Sequence, residues 1–580
     1  MTQWKEARFR TTDGLILFYR YKEPAQKTNN TLLFLHRGHE HSARIIPFAD
    51  SISEDNTWCF GLDLRGHGHS EGERAWAENF NVWVKDLNSF TGHIKHKFGL
   101  ATKDSILVAN SVGSVIALSW ILNYGPNLKG CILGAPAFSI KLYIPLALPA
   151  LRLASKFSDK LFVTSYVRSH LLTRDTAEAR AYDSDTLITK KIGVNILVTL
   201  FDTVNNCFKR LKDFETPVLL FTAENDYIVD NKLHKTFINE ISSLKKQHIL
   251  LSNFRHAIFH EKDQHKLISS CRQFIDKQFQ DMEMHLPAVI PEPRAHTVSE
   301  HQKLTQKGSS IEQLYYGSYR FLLKSIGKLS NGISLGLEYG FDSGISLDYV
   351  YCNQSTGKNT LGKILDRVYL NSTGWRGIRS RKKNLKSTLS GILKLLNNRD
   401  IKPVVLDIAS GPGRYLFEIQ KEVDFPVKLL LNDSDSHSLN HARKIAKEFN
   451  STDASFTNRN AFTINADLPE NNQQPNIIIV SGLFELYDSN QQVHQLIKQL
   501  YKLIRNEGYL IYTGQPWHPQ LKIIGRVLNN RNGKRWIMRR RIQHEMDMLV
   551  ESTGFSKLNT ASDDHGIFTV SCAQKLDEDI

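Results

Sequence analysis

The chain has 580 residues, 41% hydrophobic and 23% charged, an ordinary globular composition that excludes collagen-like, coiled-coil and disordered classes. It is too long for one hydrophobic core and predicts two to four domains. A net charge of +15 points to an anionic partner, nucleic acid or a membrane surface, or simply to a basic enzyme, and six cysteines without CxxC or CxH spacing argue against a zinc site or a disulfide framework.

Residues 1–278 alternate short apolar runs with longer amphipathic stretches, the pattern of a mostly parallel sheet in an α/β fold. The runs are Thr31–Leu35, Thr57–Leu62, Ser105–Val108, Gly130–Leu133 and Pro217–Phe221. The N-terminus has no apolar signal segment. The longest apolar stretch, near Leu142–Leu151, carries Pro145 and Pro149 and is too short to span a bilayer. A cytoplasmic chain is expected, peripheral to the inner face of a membrane if it meets one.

Residues 279–310, with clustered prolines and charges, read as a linker. Residues 311–400 read as a helical cap region with a loop around Gly332–Thr360. A second βα series fills 401–580, with runs at Val404–Asp407, Val427–Leu431, Ile477–Val480 and Tyr509–Tyr512.

The first half carries nucleophile chemistry. Val108-Ala109-Asn110-Ser111-Val112-Gly113 runs from a strand into an apolar helix, the setting in which a tight turn exposes a serine hydroxyl. An oxyanion loop is expected at Leu35-His36-Arg37-Gly38-His39-Glu40-His41-Ser42, ahead of Asp63-Leu64-Arg65-Gly66-His67-Gly68-His69-Ser70. Asp226 follows the strand Pro217–Phe221 and His256 follows Gln247–Leu251, giving the order Ser, Asp, His. With these motifs, residues 1–278 resemble the monoacylglycerol lipase and lysophospholipase branch of the α/β-hydrolases. The resemblance implies Ser111 as nucleophile, His256 as general base and Asp226 as its orienting carboxylate. It also implies an oxyanion hole of Gly38 and Val112 N–H groups, a lid over about 138–205, and a lipid-like acyl ester as substrate. Arg37, His39, Ala109, Asn110 and Ala257 depart from the family pattern. Arg37 places a cation beside the oxyanion hole, while His67 and His69 read as structural.

The second half carries nucleotide-type chemistry. Val404-Val405-Leu406-Asp407-Ile408-Ala409-Ser410-Gly411-Pro412-Gly413 is a strand entering a glycine loop, and Asp433 ends the next strand where it can accept from ribose hydroxyls. Leu416 stands where a dinucleotide fingerprint needs a third glycine, and Asp407 precedes the loop, so S-adenosyl-L-methionine is favoured over NAD. The segment resembles the class I methyltransferases, a Rossmann-like fold. That resemblance implies a cofactor site of Asp407, Ala409, Gly411, Gly413 and Asp433, with adenine contacts from Asn460 and Ala461 or from Asp467. His518, in Gln515-Pro516-Trp517-His518-Pro519, is the candidate base at the methyl-acceptor site, against a structural loop histidine. Residues 340–344 and 348–351 are expected to cap the cofactor.

Two basic clusters, one from Arg376 to Lys386 and one from Lys522 to Arg541, suggest a phosphate-binding surface, for anionic lipid ahead of RNA. Three functions are compatible: a lipid-metabolising hydrolase–methyltransferase, a hydrolase joined to an RNA or small-molecule methyltransferase, or a degenerate hydrolase serving as a lipid-binding module.

Overall fold

The computed structural model describes residues 3–158, 160–281, 290, 292–463 and 474–576. The chain divides into two units, residues 1–284 and 285–580.

Among its described residues the first unit has ten strands. β1 (Lys5–Arg10) and β2 (Ile16–Lys22) precede the βα series; β3 (Thr31–Leu35), β4 (Trp58–Leu62), β5 (Ser105–Asn110) and β6 (Gly130–Gly134) follow. β7 (Phe162–Thr164) and β8 (Lys191–Gly193) form a separate ribbon, and β9 (Val218–Ala223) and β10 (Lys246–Leu251) complete the sheet. The order is β1-β2-β4-β3-β5-β6-β9-β10, antiparallel up to the β2–β4 pair and parallel beyond it. β3, β5, β6 and β9 are wholly buried, as strands with helices on both faces must be, hence their unbroken apolar runs. β5 lies beside β3 rather than β4, so chain order reverses there. Loops leaving the carboxyl ends of β3 and β5 diverge around a crevice, where such sheets hold ligands. Between β6 and β9, among the described residues, four helices and the β7–β8 ribbon fall within 147–208, the place of the expected lid.

The second unit holds β11 (Val404–Asp407), β12 (Lys428–Asn432), β13 (Ala454–Thr457), β14 (Ile477–Val480), β15 (Tyr509–Gly514), β16 (Phe555–Ser562) and β17 (Thr569–Lys575). Their order, β13-β12-β11-β14-β15-β17-β16, is parallel until β17 inserts antiparallel to both neighbours. The reversal of chain order falls between β11 and β14, where the glycine loop leaves β11.

Three sequence expectations need correction. The stretch Gly332–Thr360 contains two helices, Asn331–Tyr339 and Gly344–Cys352, besides its loops, each started by a serine cap from Ser330 or Ser343. Its glycines serve packing: a Cβ on Gly336 would lie 2.4 Å from the Phe341 ring. Part of the expected linker, Ala295–Thr305, is also a helix, and Arg526 donates to the carbonyls of Lys303 and Leu304 at its end.

Part of each basic cluster is turned inward. Arg381, Arg526, Arg539, Arg540 and Arg541 are buried. Arg539 pairs with Glu545 at 2.9 Å and Arg540 with Glu300 at 2.6 Å. Arg541 donates to Asn490 and to the carbonyls of Phe484 and Tyr487. Lys382 and Lys386 both bridge to Glu418. Arginine suits such interior roles because its planar fork satisfies several acceptors at once.

Candidate functional sites

β5 delivers Ser111 into a turn with φ 55° and ψ −114°, a strained conformation for a residue with a side chain. Helix Val112–Tyr124 starts immediately after it. Gly113 is required by contact, since a Cβ there would lie 2.7 Å from the His36 carbonyl oxygen. β9 leads to Asp226 and β10 to His256, and the three side chains meet. His256 Nε2 lies 2.7 Å from Ser111 Oγ, and its Nδ1 lies 2.7 Å from Asp226 Oδ2. The carboxylate accepts only, so Nδ1 carries the proton and Nε2 is left to accept from the serine hydroxyl. All three residues are buried. Burial opposes charge on Asp226, but His256 and the Val229 and Ile228 N–H groups, each 2.8 Å from Oδ1, outweigh it and hold the carboxyl below its ordinary range.

Gly38 and Val112 line the same cavity as Ser111 and His256. Val112 is the first residue of its helix, where backbone N–H groups have no intrahelical acceptor. The Gly38 N–H is aimed by a residue that sequence reasoning did not single out. His36 Nε2 accepts from the Leu64 N–H at 3.0 Å, so its Nδ1–H donates to the Arg37 carbonyl at 2.7 Å. Fixing that carbonyl fixes the N–H on the opposite side of the same planar peptide. The only signal in the sequence was the position of His36 directly after β3.

Arg37, the bulkiest departure from the family pattern, is neutralised locally. Its Nη2 donates to Glu40 at 2.7 Å, and Glu40 also accepts from Arg44 at 2.8 Å. Burial would raise the Glu40 carboxyl, yet Arg37 and Arg44 bring it well below its usual range. The cavity that Ser111 lines measures about 520 Å³. Leu142, Ile144, Leu151, Ile196, Leu197 and Leu200 supply much of its wall.

In the second unit, Asp407, Ala409, Gly411, Gly413, Asp433, Asn460 and Ala461 all line one cavity of about 130 Å³. Gly411 and Gly413 have φ of 54° and 63°, and a Cβ on Gly413 would lie 2.5 Å from Leu431. Asp433 accepts the Gly411 and Asp435 N–H groups at 2.7 and 2.9 Å. Asp407 Oδ2 accepts from the Tyr415 hydroxyl at 2.5 Å. Burial, reinforced by the nearby Asp433 charge against the Tyr415 hydrogen bond, pushes Asp407 up to about 7. Burial also raises Asp433. Two buried acids on one small cavity suit a ligand that carries positive charge and hydroxyl donors.

The expected cap residues Asp342, Gly344, Asp348 and Tyr351 line this cavity. Asp348 fastens their helix, taking a bidentate bond from Arg414 at 2.5 and 2.9 Å and another from His441 at 2.9 Å. Asp467 lies outside the described residues. His518 is absent from this wall and lines an adjoining, apolar cavity. Its Nδ1 accepts from the Gln520 N–H at 3.0 Å, and burial lowers its pKa to about 4. It is therefore neutral with the proton on Nε2, arranged as a donor rather than as the expected base.

Comparisons with known proteins agree with these two folds. Residues 271–575 match the family described as "Putative methyltransferase", and residues 26–263 match the hydrolase family "Serine aminopeptidase, S33". The uncharacterized protein YnbC of Escherichia coli (strain K12) is 34% identical over 98% of both chains. Human monoglyceride lipase is 27% identical over 38% of this chain and 73% of its own. Phospholipase YtpA of Bacillus subtilis is 23% identical over 37% and 81%. Among solved structures, the monoacylglycerol lipase of Paleococcus ferrophilus covers 48% of the chain and 99% of its own at 18% identity and a TM-score of 0.40. The chain belongs to the methyltransferase family matched by residues 271–575, and it carries ahead of that region a hydrolase domain related to monoglyceride lipase and phospholipase.

Proposed function

We propose that the chain is a bifunctional enzyme of lipid metabolism, cleaving acyl glycerolipid-type esters at Ser111 and transferring a methyl group from S-adenosyl-L-methionine in its second unit. The observation that carries the hydrolase reading is the Ser111–His256–Asp226 relay, with both contacts at 2.7 Å, opening into an apolar cavity. In the reaction, Ser111 Oγ attacks the ester carbonyl while its proton passes to His256 Nε2. Asp226 stabilises the imidazolium, and the N–H groups of Gly38 and Val112 hold the oxyanion. His256 returns the proton to the departing alcohol, and water releases the acyl group by the same sequence. The relatives named as monoglyceride lipase and phospholipase support a lipid ester as substrate.

The methyltransferase reading rests on the paired acids of the glycine-loop cavity. S-adenosyl-L-methionine supplies an electrophilic methyl group when bound. Asp433 would accept from its ribose hydroxyls, Asp407 would attract its positive charge, and Asn460 and Ala461 would flank its adenine. The reading is tested by calorimetry with S-adenosylhomocysteine on the full chain, and a wild-type chain that binds none sinks it.

The exposed side chains of Tyr143, Ile144, Leu146, Leu153 and Phe157 favour the lid as the place of contact with a lipid surface. Among the described residues no helix is long and apolar enough to cross a membrane.

A further inference from the structure

Beside the glycine-loop cavity lies a second one, about 430 Å³, within the usual range for small-molecule sites of about 300–1,000 Å³. The two share Asp342, Leu347, Arg381 and Gly482. The larger cavity has a mainly apolar wall, with Ile333, Phe341, Trp375, Ile378, Met538 and Phe568 among its residues. The exceptions are informative. Arg381 stands 3.8 Å from the buried Glu485, which also lines this cavity, and so puts a charged pair where the two cavities meet. Arg381 Nε, Gln515 Nε2 and Trp536 Nε1 are buried with no hydrogen-bond partner among the described residues. Tyr319, Val368 and Ile523 also line the cavity and are exposed, Val368 by 67%, so it opens to solvent there. The helices that carry Tyr319 and Val368 expose Phe321, Leu322 and Ile364 as well.

We propose that this cavity is the methyl-acceptor site and that the acceptor is an amphiphile, an apolar chain or ring body with a hydrogen-bonding head held at the Arg381–Glu485 pair. The inference rests on the methyltransferase reading above and names its substrate class. An RNA acceptor needs a cationic groove along its backbone, whereas Arg526, Arg539, Arg540 and Arg541 are spent on internal partners. The apolar wall favours a hydrocarbon body, released from water at roughly 25 cal/mol per Å² buried.

The test uses the full chain and cis-parinaric acid, a fluorescent polyene fatty acid excited by energy transfer from tryptophans such as Trp375 and Trp536. Because the lid cavity of the hydrolase is also apolar, sites are counted. Wild type should saturate at two. Ile378→Trp, which fills the acceptor cavity, should leave one, as should Leu197→Trp in the lid cavity. Val368→Glu, a surface change at the opening, should weaken one site at least tenfold. Calorimetry with S-adenosylhomocysteine on the same samples shows that the variants are folded and separates the two ideas. If the wild type does not bind it, the methyltransferase reading fails. If it binds but Ile378→Trp and Val368→Glu leave parinaric acid binding unchanged, the amphiphile site alone is overturned. Methyl label from the donor recovered in RNA, and not in an organic extract, overturns it too.

Discussion

The lid cavity of the first unit and the apolar cavity of the second have similar volumes but differ in the polar groups they present, a hydrogen-bonded serine and histidine in the first and the Arg381–Glu485 pair in the second. Under the lid, Ser111, His256 and Asp226 are bonded to one another before any substrate arrives. In the second unit, Arg381 and Glu485 stand 3.8 Å apart among the lining residues. The first arrangement holds its reactive groups in place and needs only an ester. The second arranges surroundings for a reaction whose electrophile comes with a bound molecule. Unpartnered donors do not separate the two cavities, since Arg37 Nε, Arg37 Nη1 and His39 Nδ1 on residues of the first also lack partners among the described residues.

The largest expected effect is at the closed relay. Ser111→Ala should lower hydrolysis of short-chain p-nitrophenyl esters by on the order of 10⁴–10⁶-fold, with S-adenosylhomocysteine binding unchanged. Asp226→Asn should cost about 10⁴-fold, because an amide can favour the wrong His256 tautomer; turnover near wild type would break the relay. Next comes Glu40→Gln, which leaves Arg37 and Arg44 facing a neutral amide. Breaking a buried pair costs about 3–5 kcal/mol, so chemical denaturation should find the hydrolase unit destabilised on that scale. If it stays as stable as wild type, Arg37 is not neutralised as described.

How much of this was legible in the sequence depended on whether a residue stands at the end of an apolar strand. Ser111, Asp226 and His256 each follow an apolar strand, and strand ends converge in such a sheet, so order alone brought them near one another. The glycine loop and Asp433 were readable for the same reason. The basic clusters misled because a sequence displays charges but not their partners: Glu300 lies 240 residues from Arg540, and carbonyl acceptors leave no trace in composition. The stretch Gly332–Thr360 looked like a loop because the close packing of Gly332 and Gly336 against Tyr369 and Phe341 depends on tertiary contacts. His518 was found as a residue but not as a tautomer, which the Gln520 N–H decides.

The second unit yields smaller effects. Asp407, raised by burial to about 7, is protonated below that pH and charged above it. Binding of cationic S-adenosyl-L-methionine should therefore strengthen as pH rises from 6 to 8, and Asp407→Asn should flatten the profile and weaken binding by about tenfold or more at pH 8. Since its folded pKa lies above the unfolded value, Asp407 costs the ligand-free unit stability as pH rises from about 4 to 7, and the same substitution should remove that loss. A wild-type profile independent of pH would take Asp407 out of the ligand's reach. The smallest effect belongs to the basic clusters: Lys534→Gln with Arg535→Gln should leave binding to anionic liposomes and to RNA unchanged across a salt series. A steep salt dependence lost in that pair would restore the cationic surface.

The claim that two independent catalytic sites share this chain is tested most directly by intact-mass spectrometry after treatment with a fluorophosphonate. Wild type and Asp407→Asn should each gain one adduct, on the peptide that carries Ser111, and Ser111→Ala should gain none. A wild-type chain that takes up no adduct, or one that loses it in Asp407→Asn while still folded, would contradict the account.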